Sequence, residues 1–243
     1  MRDCGRFFSA SASCFFFFLV STNIVSAAVQ RAAAGPDSGS IPAHDLASIV
    51  RESSADSENN ASVDLVIAIP RGGHSYVVLD EVREKMHGVI ATIGKQRTGL
   101  RVGVISYGDT DEPLKIQELT DSIPRVQSFV GSIGAEQKGG SHENVLGAIE
   151  AAVERMRWRK DSLRMIVLAA DSAPESEEIS GAMELARTFR SENGILNSVD
   201  LTPEIDRLIS ESSGRPSLLS IDVQTRGILE TLAAIGGGAL STF

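Results

Sequence analysis

From Val63 onward, short apolar runs rich in β-branched residues alternate with longer stretches whose apolar residues recur every three or four positions. A strand covered on both faces reads as a continuous apolar run, and each parallel neighbour needs a crossover, usually a helix. The alternation therefore predicts an α/β fold, doubly wound, with a mostly parallel central sheet and helices on both faces.

The first strand is Val63-Asp64-Leu65-Val66-Ile67-Ala68-Ile69, and Val78, Val82, Met86, Val89 and Ile93 then share one helical face. Leu100 to Tyr107 is a second strand. Leu114 to Leu119 alternates with period two, as suits one antiparallel edge strand reached by the short link from Gly108 to Pro113. Thr120 is placed to cap a helix that turns Ile123, Val126, Phe129, Val130 and Ile133 inward. Val145, Ile149, Ala152 and Met156 mark the next helix, Leu163 to Ala170 a buried strand, and Ile179, Ala182, Ala186 and Phe189 the helix after it. Gly194 to Leu201 is another strand, Ile228 to Ile235 a helix and Gly238 to Phe243 an edge strand. The polar stretch 202–224, with Pro203, Gly214 and Pro216, reads as an insertion between the last elements.

Ahead of this domain, two arginines, Arg2 and Arg6, precede the apolar run Cys14 to Val20, and Val25 and Ala27 place small side chains before a cut. That order predicts a signal peptide over 1–27 and an exported protein, periplasmic or secreted, with no membrane span in the mature chain. Residues 28–61 are a polar linker, too poor in apolar surface to offset chain entropy, with one short amphipathic segment from Ala43 to Glu52. The domain occupies 62–243. Both cysteines, Cys4 and Cys14, fall in the leader, so the mature chain has no disulfide and no thiol ligand or nucleophile. The net charge of -9, from 32 acids and 23 bases, repels phosphate backbones and argues against nucleic acid as a partner.

Several local sequences, in this order, resemble a von Willebrand factor type A domain over about residues 62–243. They are Asp64 to Ile69 as first strand, Val102 to Asp109 as second, and Leu119-Thr120-Asp121 entering a helix. Gly139 to Leu146 before the third helix, Trp158-Arg159, and Met165 to Pro174 complete the set. The resemblance implies a divalent cation above the carboxyl ends of the strands. An Asp-x-Ser-x-Ser loop, a Thr or Asp before the third helix and an Asp after the fourth strand would hold it, as hard Mg²⁺ requires oxygen ligands. Here the loop positions fall on Pro70, Gly72 and His74, and the middle ligand falls on Gly140 or Ser141. Only Asp171 matches. The metal-ion-dependent adhesion site is degenerate, and neither cofactor nor metal is expected.

The same face carries Arg71, Gly72, Gly73, His74, Ser75, Gly140, Ser141, His142 and Asp171 as candidate ligand-binding residues. Pro70 to Tyr76, with one cation and two glycines between a strand and a helix, could cradle an anion, or be a plain turn with glycines at positive φ and a solvated Arg71. His74, His142 and Asp171 could hold zinc, and Ser75 or Ser141 with a histidine and Asp171 could be drawn as a hydrolase triad, although no nucleophile elbow marks either serine. Asp171 could instead cap the helix begun by Pro174 and Glu175. Trp158, among Arg157, Arg159 and Lys160, is either a surface anchor or a residue packed on the third helix. The leading expectation is a non-enzymatic module that binds another protein. The alternative is a metal- or anion-dependent enzyme or small-ligand receptor on the same loops.

Overall fold

A computed structural model describes residues 62–72, 74–84, 87, 99–134, 143–213 and 223–242. The leader, the linker, Gly73, Gly140, Ser141 and His142 lie outside the described residues. The elements are β1 (Ser62–Pro70), a 3₁₀ turn (Ser75–Val77), α1 (79–84), β2 (Leu100–Tyr107), β3 (Lys115–Thr120) and α2 (Ile123–Ser132). They continue as α3 (Val145–Glu150), extended by a π turn over Ala151–Arg155, β4 (Ser162–Ala170), α4 (Ile179–Ser191), β5 (Gly194–Asp200), α5 (Thr202–Ser213), α6 (Val223–Ile235) and β6 (Gly237–Thr242).

The six strands form one sheet in the order β3-β2-β1-β4-β5-β6. All neighbours are parallel except β2 and β3. The continuous apolar runs are explained by the pleat. Leu65, Ile67 and Ile69 of β1 and Met165 and Val167 of β4 point into one core with Val82, Val126, Val130 and Ile205. Val66, Ala68, Ile166 and Leu168 point into the opposite core with Val145, Ile149, Ala182, Phe189 and Leu229. Each fully buried Val, Leu or Ile contributes about 1.5–3 kcal/mol.

The structure corrects several local expectations. The stretch expected as an insertion begins as helix α5, starting where the Asp200 carboxylate accepts a hydrogen bond from the Thr202 amide at 3.0 Å. Its Ile205 is buried, and Leu208 and Ile209 pack on the same core, so a mostly polar sequence still covers the sheet. The N-cap position of helix α2 is Ser122 rather than Thr120, without a side-chain capping bond, and the Thr120 hydroxyl accepts from the Ser122 amide. Of the two places open to Trp158 the packed one is found, its ring 5.3 Å from Phe189 and its Nε1–H donating to the Ala152 carbonyl at 2.9 Å. Among the described residues no helix is long and apolar enough to cross a membrane.

At the amino end of the sheet, Asp64 is fully buried on β1. Arg101 reaches it with Nε at 2.9 Å and a second nitrogen at 2.6 Å, and Arg159 adds its amide at 2.8 Å and its guanidinium at 2.6 Å. The Ser162 hydroxyl donates at 3.0 Å. Burial alone would raise this carboxyl, but the Arg101, Arg159 and Ser162 hydrogen bonds override it and hold the pKa down at about 2. Arg101 of β2, Arg159 after α3 and Ser162 of β4 thus meet on Asp64 of β1 and fasten three strands together at the end away from the candidate site.

Candidate functional site

The chain runs from β1 outward to β2 and β3, then returns to place β4 on the other side of β1. In open α/β sheets such a reversal opens a crevice at the carboxyl ends of the strands, here those of β1 and β4. Three segments meet there: the turn after β1, the residues before α3, and the loop after β4.

In the turn after β1 the arginine is turned inward, not toward solvent. Arg71 is 1% exposed. Its guanidinium donates to the Ser106 carbonyl at 2.7 Å and the Pro113 carbonyl at 3.0 Å, and it lies 3.4 Å from the Glu112 carboxylate. The cation ties the β2–β3 link to the end of β1 and offers no charge to an external anion. Gly72 has no positive φ, and Gly73 lies outside the described residues. His74 is exposed at the start of the 3₁₀ turn.

Ser75 is buried, and its Oγ lies 2.6 Å from the Gly72 carbonyl and 2.9 Å from Oε1 of Glu143. Glu143 is the residue the sequence reading missed. It precedes Asn144, whose side-chain oxygen caps α3 by accepting from the Gly147 amide at 2.8 Å. That cap fixes the chain direction, and the bridge between Glu143 and Asp109 with the Asn144 amide bond to the Gly108 carbonyl at 2.9 Å pins it to the end of β2. Glu143 is consequently 4% exposed and faces Asp171, while the Ser172 hydroxyl donates to Oε2 at 3.3 Å. Of the expected site residues, the structure brings Ser75 and Asp171 together, around this unexpected acid.

Both carboxylate oxygens of Asp171 are buried, and no backbone N–H and no Ser, Thr or Tyr hydroxyl among the described residues donates to them. Its neighbour is the Glu143 carboxyl, a contact that needs a shared proton. Asp171 does not cap a helix either, since α4 begins at Ile179. Burial pushes the Glu143 carboxyl well above its usual range, the charge of Asp171 raises it further, and the Ser75 and Ser172 hydroxyls pull it partly back. The Tyr107 hydroxyl, fully buried nearby, donates to the Ala169 carbonyl at 2.5 Å. Burial raises its pKa first, and Glu143 and Asp171 raise it further.

Glu143 also lines a cavity of about 420 Å³ between the β4–α4 loop and the start of α6. Ser172, Glu175, Glu177, Gln224 and Thr225 line it too, and among the described lining residues there is no Lys or Arg.

The architecture matches solved structures at low sequence identity. BatB from Bacteroides thetaiotaomicron, described as a conserved hypothetical protein, superposes with a TM-score of 0.54 at 18% identity. The match covers 75% of this chain and 90% of that one. The fold is von Willebrand factor A-like. An aerotolerance-related membrane protein from Bacteroides fragilis gives a TM-score of 0.53 at 18% identity, over 75% of this chain and 92% of its own. No protein-family model matches the sequence, and no curated protein matches it.

The von Willebrand A fold implies a divalent cation at this crevice, and the described residues do not fit it. The first-strand loop offers Pro70, Gly72 and His74 in place of Asp and two Ser. Its charged side chain is a buried arginine turned toward β2 and β3. Glu143 and Asp171 are two carboxylates where the sequence showed one, but they face each other with the hydroxyls of Ser75 and Ser172 directed at Glu143. Among the described residues no three carboxylate, imidazole or thiol groups converge on a point. The buried orphan oxygens of Asp171 mark a deficit of positive charge at this spot, within a donor set unlike the fold's usual one.

Proposed function

We propose that this protein is an exported, non-enzymatic protein-interaction module, periplasmic or secreted, that works without a bound divalent cation and meets its partner with the carboxyl ends of the sheet. The observation that carries this reading is the Glu143–Asp171 pair, placed at the strand reversal beside an open acidic cavity. Function in a von Willebrand A-like fold resides in such loops, held by a rigid sheet. The face offers recognition chemistry, charge and hydrogen-bonding groups around a concavity, without an activated nucleophile among the described residues. The Ser75 hydroxyl has one proton, and its two near acceptors are a carbonyl and an acid whose pKa burial raises, so no imidazole base stands behind it among the described residues. His74 is exposed on the turn.

Affinity capture with the tagged chain expressed in its own host tests this. A variant carrying His74→Glu and Ser176→Lys changes two exposed positions that border the face and disturbs no core contact. The wild type is expected to retain a specific envelope or medium protein that the variant loses. Equal recovery by both, or recovery of nothing under crosslinking, contradicts the proposal, as does turnover in a broad hydrolase panel.

A further inference from the structure

We propose that the cavity beside Glu143 receives an arginine side chain of the partner protein, seated against the Glu143 carboxyl with Asp171 behind it. This rests on the interaction-module reading and names the chemistry of the partner.

Two carboxyl groups buried against each other lack a positive counter-charge among the described residues. Both Asp171 oxygens are buried without a donor among the described residues, and Glu143 has only the hydroxyls of Ser75 and Ser172. The described cations of the neighbourhood are turned elsewhere. Arg71 points to the Ser106 and Pro113 carbonyls, and Arg226, next to the lining Thr225, lies 3.6 Å from Asp200. The deficit opens outward, because Glu143 and Ser172 are themselves lining residues of the cavity. At about 420 Å³, the space takes a long side chain rather than a bare ion. Its walls are amphipathic: Pro174, Ile179 and Ile228 offer apolar surface for a methylene stem, while Glu175 and Glu177 add negative charge. A planar guanidinium can donate to Glu143 and to the Ser172 hydroxyl at once, which a lysine ammonium does less well.

The test is titration of the ¹⁵N-labelled protein, at low ionic strength, with acetyl-Gly-Arg-Gly-amide and with the same peptide carrying neutral citrulline. Saturable amide shifts are expected at Ser172, Ser176 and Thr225 with the arginine peptide, with binding weaker by about tenfold for citrulline and for Glu143→Gln, which keeps the shape and removes the charge. Equal shifts with both peptides, or none with either, overturn the proposal. Equal binding of the lysine peptide overturns the choice of arginine, and tighter binding of free arginine than of the peptide overturns the partner-protein source. If a partner is captured equally by wild type and Glu143→Gln, this pocket assignment fails while the interaction module stands. If neither captures one, the interaction module itself fails.

Discussion

Glu143 and Asp171 face each other across the end of the sheet, two acids from different loops brought together in a buried setting where the Ser75 and Ser172 hydroxyls donate to Glu143 alone. The arrangement is strained electrostatically in proportion to how far both are ionised. A carboxyl raised in the folded state contributes its stability below the unfolded pKa, near 4.5, and loses it as pH climbs through the folded value. Glu143→Gln does not titrate, and its amide N–H can donate to Asp171. The variant is expected to exceed the wild type in stability at pH 8 by about 1 kcal/mol, the scale of one net hydrogen bond, with the advantage shrinking toward pH 5. Urea denaturation at both pH values checks this, and an equal loss at both would count against the pairing.

Asp64 has the opposite sign. Its folded pKa of about 2 lies below the ordinary 3.8, so its stabilisation is present above the unfolded value and fades as pH falls through about 2. The difference corresponds to about 2 kcal/mol. Asp64→Asn should lose about that much at pH 7 and flatten the acid limb of the stability curve. An unchanged urea midpoint at pH 7 would show that Arg101 and Arg159 are not anchored through this residue.

Gly147 sits inside α3, where alanine ordinarily helps a helix. A Cβ there would come within 2.3 Å of the Asn144 side-chain oxygen, so Gly147→Ala must displace the cap. A loss of about 1 kcal/mol is expected, matching Asn144→Ala, with the double variant little worse than either single one. Additive losses in thermal or urea melts would mean that the cap survives.

Export makes a chemical prediction at the amino terminus. If the leader is cut after Ala27 or Ala28, sequencing of the protein recovered from envelope or medium starts at Ala28 or Val29. Recovery of the intact terminus would contradict cleavage and favour an anchored form.

The sheet was legible because strands buried on both faces have few alternatives, and Val63 to Ile69 and Leu163 to Ala170 admit little else. The site was legible only in part. Asp171 follows a strand too clear to misplace, whereas Glu143 sits in a polar run where counting from the glycines stopped at Gly140 or Ser141. The usable sign was Asn144 followed three residues later by Gly147, a cap that fixes the helix start and leaves the preceding acid on the crevice. Arg71 was misread because a charge next to glycines defaults to solvent, and its burial depends on carbonyls 35 and 42 residues away. Helix α5 was hidden by composition, since one apolar face suffices where the other meets water.

The central claim is that this face recognises a partner without the cation its fold ordinarily holds, and thermal melting in Mg²⁺ or Mn²⁺ tests it most directly. An ion that binds only the folded protein raises stability by about 2.7 kcal/mol at a hundredfold excess over Kd. Matched monovalent salt is the control, because a chain of net charge -9 gains from screening alone. The account predicts no change in Tm beyond that control. A rise of several degrees, specific to the divalent ion and abolished in Asp171→Ala, would show that Glu143 and Asp171 hold a metal and would contradict it.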